Sequence, residues 1–115
     1  MDDKSDSAEI PINVLIELVI ELWRHNKANQ KSDNIRTRRL KSQIKKIIEF
    51  ANIEVFDLEG EKYDPGLALE VIHYRTDDNK ADKIIEEMIS PIIIFNGNVV
   101  NYGQVVLSGP KNKEG

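Results

Sequence analysis

The sequence predicts an α+β protein, with an N-terminal helical hairpin that forms a dimeric four-helix bundle and a small, mostly antiparallel β domain after it. Apolar residues recur with a helical period before residue 52 and alternate, as they do in strands, after it. The junction between the two halves, residues 49–71, contains the turn sequence Asp64-Pro65-Gly66. The first helix is apolar over most of its circumference, which is typical of a helix with neighbours on several sides.

With 115 residues the chain is long enough for one domain, or for one domain with a helical appendage. A chain of this length buries only about two-thirds of its unfolded surface, so a second subunit would add considerably to its core. It contains no cysteine, which excludes disulfides, cysteine–zinc sites and thiol redox chemistry. The acidic start differs from a signal peptide, and the run from Ile10 to Trp23 is shorter than the roughly 20 apolar residues of a spanning helix. We therefore expect a soluble, cytoplasmic protein without a membrane segment.

The net charge of −4 conceals a strong segregation of charge along the chain. Residues 1–23 carry six acids against one lysine, whereas residues 24–46 carry nine lysines or arginines against one aspartate. The remaining residues carry thirteen acids against six bases. The middle of the sequence is therefore basic and both ends are acidic.

Residues 1–9 are expected to form a disordered leader, and Pro11 marks the first turn of a helix. From Ile12 onward, polar residues fall on one arc of roughly 80°, at about 100° per residue. They are Asn13, Glu17, Glu21 and Arg24. Apolar side chains take almost all the other directions, which a 115-residue monomer can hardly cover. This helix therefore predicts a symmetric dimer; the alternative is a helix enclosed within its own domain.

A polar connection, His25–Asn34, is predicted to join this helix to a second one, which runs from about Ile35 to Ala51 and carries an ordinary amphipathic stripe. Residues 10–52 thus form a helical hairpin, and two such hairpins pair naturally into a four-helix bundle. The residues expected at the dimer interface are Leu15, Leu18, Val19, Leu22, Leu40, Ile44 and Ile47.

Residues 53–108 are predicted to form the β domain, followed by a flexible tail at 109–115. Asn96-Gly97 between two apolar runs is a strong hairpin signal, because a type I′ turn needs positive φ at both central residues. The predicted strands are Ile53–Phe56, Leu67–Tyr74, Ile84–Ile89, Ile92–Phe95, Asn98–Asn101 and Gln104–Leu107.

Groups of residues typical of enzyme active sites are mostly absent from the sequence. The only histidines are His25 and His73, and there is neither a cysteine nor a glycine-rich phosphate loop, so nucleophile–base pairs are hard to build. No group of residues has the spacing of metal ligands. We therefore predict a binding protein and not an enzyme, without a metal or another cofactor.

The cations of the second helix could neutralise phosphates, which would indicate a nucleic-acid-binding surface. On the helical wheel, however, they spread over every direction that the apolar stripe leaves free, and no aromatic residues are interleaved with them. A solvated helix surface is the favoured interpretation, attraction to an acidic protein is a weaker one, and nucleic-acid binding is the least favoured. These cations are Arg36, Arg38, Arg39, Lys41, Lys45 and Lys46.

Several stretches together resemble the GrpE-type nucleotide exchange factors, the cochaperones of DnaK-class chaperones. The leucine-rich run from Ile12 to Arg24 is similar to the family's first bundle helix, which ends in Leu-x-Arg. Residues 40–54 resemble the second bundle helix and its exit into the first strand. Tyr63-Asp64-Pro65 resembles the family's aromatic-or-leucine–Asp–Pro element. Residues 91–107 align with the C-terminal signature without a gap, so the resemblance covers roughly residues 12–108.

The sequence departs from the family's pattern at several points. The family has a long N-terminal stalk helix, where this chain has only about nine polar residues. Ala68 and Glu70 stand where the family has His and Ala, Ile92-Ile93 replace a Gly–aromatic pair, and Asn101 replaces an Arg. The resemblance therefore implies a divergent member without stalk contacts or stalk-based temperature sensing.

The resemblance implies a homodimer, joined through a four-helix bundle, that acts in protein folding and the stress response. One β domain would press into the ATPase domain of a DnaK-type chaperone and open its nucleotide cleft, so that ADP leaves. The partner-binding residues would be Tyr63, Ile89 and Leu107, with Pro91 adjacent, although a core position for Ile89 and Leu107 is an open alternative. A second hypothesis is a dimeric adaptor that keeps the fold but lacks exchange activity.

Overall fold

The computed structural model describes residues 9–28 and 34–111, and it confirms the α+β class. Most of the expected leader, the middle of the predicted connection and the end of the expected tail lie outside these residues. The helices are α1 (Ile12–Ala28) and α2 (Ile35–Phe50). The strands are β1 (Ile53–Phe56), β2 (Leu69–Thr76), β3 (Ile84–Ser90), β4 (Ile92–Phe95), β5 (Asn98–Asn101) and β6 (Gly103–Gly109).

Helix α1 begins where the sequence predicts and ends later. The carbonyl of Pro11 accepts two N–H groups of the first turn, at 3.0 and 3.1 Å. Residues 25–28, which the sequence assigns to the polar connection, continue the helix. The reason is tertiary, because Lys27 in this last turn forms ion pairs with Asp57 and Glu59 of the β half.

The six strands form two three-stranded sheets. Sheet A has the order β1-β4-β5 and is antiparallel throughout. Sheet B has the order β2-β6-β3, in which β3 is antiparallel to β6 but β2 runs parallel to it. The mostly antiparallel prediction is therefore confirmed, with β2 as the exception.

The strand bounds agree with the prediction for β1, β4 and β5 and differ elsewhere. Strand β2 begins two residues later than predicted, because Leu67 donates its N–H to the carbonyl of Asp64 (3.0 Å) and so still belongs to the turn. Asn96 and Gly97, between β4 and β5, have φ values of 51° and 80°. Positive φ at both residues confirms the predicted hairpin turn.

Two apolar clusters hold these elements together. The helix–sheet cluster joins α1 to sheet A through four buried side chains: Ile16, Val19, Ile53 and Ile93. The β cluster lies within the β half and contains Ile85, Met88, Ile92, Val105 and Leu107. Full burial of a side chain of this size contributes roughly 1.5–3 kcal/mol, so each cluster is a substantial part of the core.

Helix α1 therefore packs on its own β half as well as on α2. Trp23, near its C-terminal end, also packs against the β cluster. This corrects the expectation that a 115-residue chain can hardly supply neighbours for such a helix, because sheet A covers the Ile16–Val19 face. On the opposite face of α1, Val14 and Leu18 remain 48% and 46% exposed. Neither described helix is long and apolar enough to cross a bilayer.

Candidate partner-binding and dimerisation surfaces

The outer face of the helical hairpin is strongly apolar. Leu18 on α1 is 46% exposed, and Phe50, the last residue of α2, is 95% exposed. Between the two helices lies an open cleft of about 350 Å³ with almost entirely apolar walls. It is lined by Ile10, Leu15, Leu18, Ile47, Phe50 and Ala51. An apolar surface of this kind is typical of a protein–protein contact.

Three of the predicted dimerisation residues, Leu15, Leu18 and Ile47, line this cleft. Leu18 is exposed, whereas five others are half-buried and keep part of their surface accessible: Leu15, Leu22, Leu40, Ile44 and Ile47. Val19 is different, because it is only 1% exposed and packs in the helix–sheet cluster. The prediction for Val19 is therefore corrected: this side chain is a core residue of its own chain.

Tyr63 and its neighbours form a compact turn before β2. The N–H of Tyr63 donates to the carbonyl of Lys83 (2.8 Å), and its half-buried ring packs against the β cluster. The carboxylate of Asp64 accepts the N–H of Gly66 at 2.9 Å, which closes an Asx-type turn around Pro65. Tyr63 is thus held in place by backbone and ring contacts while part of it stays accessible to a partner.

The other three predicted partner-binding residues separate into two groups. Ile89 on β3 is half-buried, and its carbonyl accepts a long hydrogen bond of 3.5 Å from Nε of Arg24. Pro91 is fully buried, and Leu107 is 3% exposed within the β cluster. A buried side chain cannot contact a partner without rearrangement of the core. The prediction for Pro91 and Leu107 is therefore corrected, and for Leu107 the core alternative is the one that the structure supports.

Lys27 joins the two halves of the chain. Its Nζ lies 3.1 Å from Oδ2 of Asp57 and 3.0 Å from Oε2 of Glu59, and it donates to the carbonyl of Met88 at 3.2 Å. The same ammonium lies 4.7 Å from the ring centroid of Trp23, within cation–π range. The sequence does not predict this contact, because the acidic partners of Lys27 are some thirty residues further along the chain and no local spacing connects them.

Phe50 was also missing from the predicted interface. On the helical wheel it falls outside the apolar stripe of α2. A large apolar side chain outside that stripe was the one feature of the sequence that could have indicated a second apolar contact.

The cations of α2 are exposed as well. Five of them form no ion pair with a described residue. These five are Arg36, Arg39, Lys41, Lys45 and Lys46.

Within the described residues, no group of three His, Asp or Glu side chains is placed to hold a metal ion. His73 lies on the exposed surface of β2.

No family model matches this sequence, and neither does any curated protein. The family resemblance therefore rests on the residues and motifs quoted from the sequence.

Proposed function

We propose that this chain is a GrpE-like cochaperone, which promotes ADP release from the ATPase domain of a DnaK-type chaperone through its β half. The motifs that resemble this family occur in the family's order along the chain. The observation that carries the proposal furthest is the uncovered apolar face of the helical hairpin, centred on Leu18 and Phe50. The proposal requires such a face, because each hairpin is one half of a four-helix bundle.

A homodimer is the first element of the proposal. In a symmetric pair the same patch meets its own copy, so the exposed apolar residues of that patch gain neighbours from the other hairpin. Burial is worth about 25 cal/mol per Å² of apolar surface. The cleft between α1 and α2 gives room for side chains of the second copy.

The second element is a partner contact through the β half. Tyr63 and Ile89 are the two predicted contact residues that remain partly accessible. If this surface binds the open state of the ATPase domain more tightly than the closed state, the equilibrium shifts toward the state that releases ADP. A tenfold preference corresponds to about 1.4 kcal/mol.

The third element is a fixed orientation of the β half relative to the hairpin. Arg24 and Lys27 on α1 contact the carbonyls of Ile89 and Met88 on β3, respectively. A dimer that presses one β half into a partner needs such a connection, because a loosely tethered β half would transmit little force. These contacts between α1 and β3 therefore support the proposal, because they hold the β half in place on the hairpin.

A second candidate function is a dimeric adaptor that binds its partner without accelerating nucleotide release. The burial of Pro91 and Leu107 favours it, because two of the four predicted contacts are absent from the surface. The departures at Ala68 and Glu70, close to Tyr63, favour it as well.

The deciding experiment measures release of a fluorescent ADP analogue from each DnaK-type ATPase of the same cell, with and without this protein. The proposal expects faster release, and a loss of most of that effect in Tyr63→Ala. Tyr102→Ala is the matched control, because Tyr102 is a 60% exposed tyrosine elsewhere in the β half. Unchanged release from every partner would refute the exchange function. A stable complex with an unchanged release rate would establish the adaptor instead.

A further inference from the structure

The face of sheet A that points away from the helices carries an apolar groove. Ile53 and Val55 on β1 point into the helix–sheet cluster, so the alternate residues Glu54 and Phe56 lie on the other face. The groove on that face has a volume of about 380 Å³, at the small end of the range for binding pockets. It is lined by Phe56, Leu58, Gly66, Leu67, Ala68, Ile92, Ile94 and Val99.

Large apolar side chains at the rim of this groove stay in contact with solvent. Phe56 is 40% exposed, Leu67 is 37% exposed and Val99 is 40% exposed. They come from β1, from the turn before β2 and from β5, so three separate parts of the chain converge on one apolar depression. Neither Tyr63 nor Ile89 lines it. The groove therefore has its own lining, although Gly66 and Ala68 follow Tyr63 closely in the chain, and the inference does not rest on the proposed exchange function.

Two carboxylates stand beside the groove. Glu54 pairs directly across the strands with Ile94, which places its side chain on the groove's face. The carboxylate of Asp64 lies next to Gly66 in the groove wall. Neither acid forms an ion pair with a described residue. An occupant with basic residues next to its apolar ones would complement both features.

Strand β5 gives the groove an open edge that an extended chain can cross. It pairs with β4 on one side, through an irregular register, and with no described strand on the other. Strand β5 is short, with four residues, and its register with β4 is irregular, but it contains no charged residue and no proline, which are stronger obstacles to pairing at a sheet edge. A chain that enters the groove across this edge can form main-chain hydrogen bonds with β5 where it crosses, while its side chains enter the groove.

We propose that this groove binds an extended peptide segment of another protein, in which large aliphatic side chains are flanked by lysine or arginine. The aliphatic side chains fill the space between Phe56, Leu67 and Val99. The flanking cations lie near Glu54 and Asp64. This interaction surface is distinct from the dimer face, and it adjoins the Tyr63 surface at Asp64.

The test titrates the full-length, isotope-labelled protein with three end-capped peptides and follows its backbone amide spectrum. The first peptide, GKLVLRG, has the required chemistry; GELVLEG reverses its flanking charges, and GKSGSRG replaces its aliphatic centre. We expect GKLVLRG to shift amides of β1, β5 and residues 64–68, and to bind at least about tenfold more tightly than either control peptide at low salt.

Two pairs of variants locate the site. Val99→Thr replaces a methyl group in the groove by a hydroxyl group. It should weaken binding of GKLVLRG by about fourfold, which corresponds to the free energy of burying one methylene-sized group. Val100→Thr should not weaken it, because Val100 has the same 40% exposure but faces α1. Glu54→Lys should weaken binding by about tenfold at low salt, and the exposed Glu49→Lys on α2 should leave it unchanged.

Several outcomes would overturn the proposal. If GELVLEG binds as tightly as GKLVLRG, charge complementarity does not contribute to binding. If the amide shifts are confined to other surfaces, the groove is not the binding site. Absence of binding by all three peptides at millimolar concentration would also count against it. Concentration-dependent shifts of the groove amides without any peptide would mean that a second copy of the chain occupies the groove instead.

Discussion

The side chains of Asn52 and Asn96 are hydrogen-bonded to each other, with Nδ2 of Asn52 donating to Oδ1 of Asn96 at 3.1 Å. These are the two non-glycine residues with positive φ in the described part of the chain, at 58° and 51°. Asn52 ends the hairpin after α2, and Asn96 forms the turn between β4 and β5. The bond therefore connects the exit of the helical half to the tip of sheet A through two asparagines, which adopt positive φ more readily than most residues other than glycine.

Replacement of Asn52 by alanine should lower the free energy of unfolding by about 1–2 kcal/mol, because it loses the hydrogen bond and places a Cβ-bearing residue without a polar side chain at positive φ. Asn52→Gly loses the bond but fits the backbone, so its loss should stay within about 1 kcal/mol. Urea unfolding measures both values. Equal losses for the two variants would show that the backbone conformation at residue 52 does not contribute.

Lys27→Met should destabilise the protein by about 1–2 kcal/mol, because it leaves Asp57 and Glu59 near each other without their shared cation. The side chain of Lys27 is only 21% exposed, so solvent screens this contact less than an ordinary surface pair. The measurement is again the urea unfolding midpoint.

The matched control for this change is Lys62→Met. Lys62 pairs with Asp82 at 3.6 Å, but its side chain is 70% exposed, and we expect a change within about 0.5 kcal/mol. Similar losses in the two variants would contradict the special position of Lys27 between the two halves.

Leu18→Asp should convert the proposed dimer into a monomer, because it places a charge in the apolar seam between two hairpins. The dimer constant should weaken by roughly a hundredfold or more, as sedimentation equilibrium at micromolar concentration would measure. Ile72→Asp on β2 is the matched control, since Ile72 is 49% exposed and Leu18 is 46% exposed. A wild-type protein that sediments as a monomer would contradict the dimer itself.

Glu86 should make the stability of the protein depend on pH in the acid range. A hydrogen bond from the Ser108 hydroxyl, and then the guanidinium of Arg75, hold the pKa of Glu86 below its ordinary value. A lowered pKa in the folded state means that the ionised group stabilises the fold above the unfolded-state pKa of about 4.3. That contribution is lost as the pH falls through the folded-state pKa.

The stability difference between the wild-type protein and Glu86→Gln should therefore be present at neutral pH and decrease steadily below about pH 4. Urea midpoints measured over this pH range test it. Glu87→Gln, on the same strand but exposed, is the control for a general effect of charge removal. A difference that stays constant down to the lowest pH would contradict the role of the Glu86 carboxylate.

The secondary structure was largely predictable from the sequence because its signals are local. The bounds of β1, β4 and β5 follow from a few alternating residues and from the Asn96-Gly97 turn, whose φ values depend on the two residues themselves. The end of α1 was not predictable in this way. It depends on Lys27 meeting carboxylates that lie about thirty positions further along the chain.

The candidate surfaces were predictable only in part. An apolar periodicity identifies Leu18 and Val19 equally as apolar members of α1, yet the first is exposed and the second is buried against sheet A. The same holds for Leu107, which an alignment of motifs places at a partner surface and the fold places in the core. Which of several apolar residues stays outside depends on the packing of elements distant in sequence.

By itself, the sequence determined the helical half, the strand half, the hairpin turn at Asn96 and the absence of cysteine chemistry, because each of these depends on residue type or on neighbours a few positions away. Only the tertiary structure decided that β2 runs parallel to β6, that α1 packs on sheet A and that the apolar surface of the hairpin is centred on Leu18 and Phe50. The physical reason is that burial is a property of pairs of surfaces. A periodicity shows that a face is apolar, but only the assembled chain shows which other face covers it.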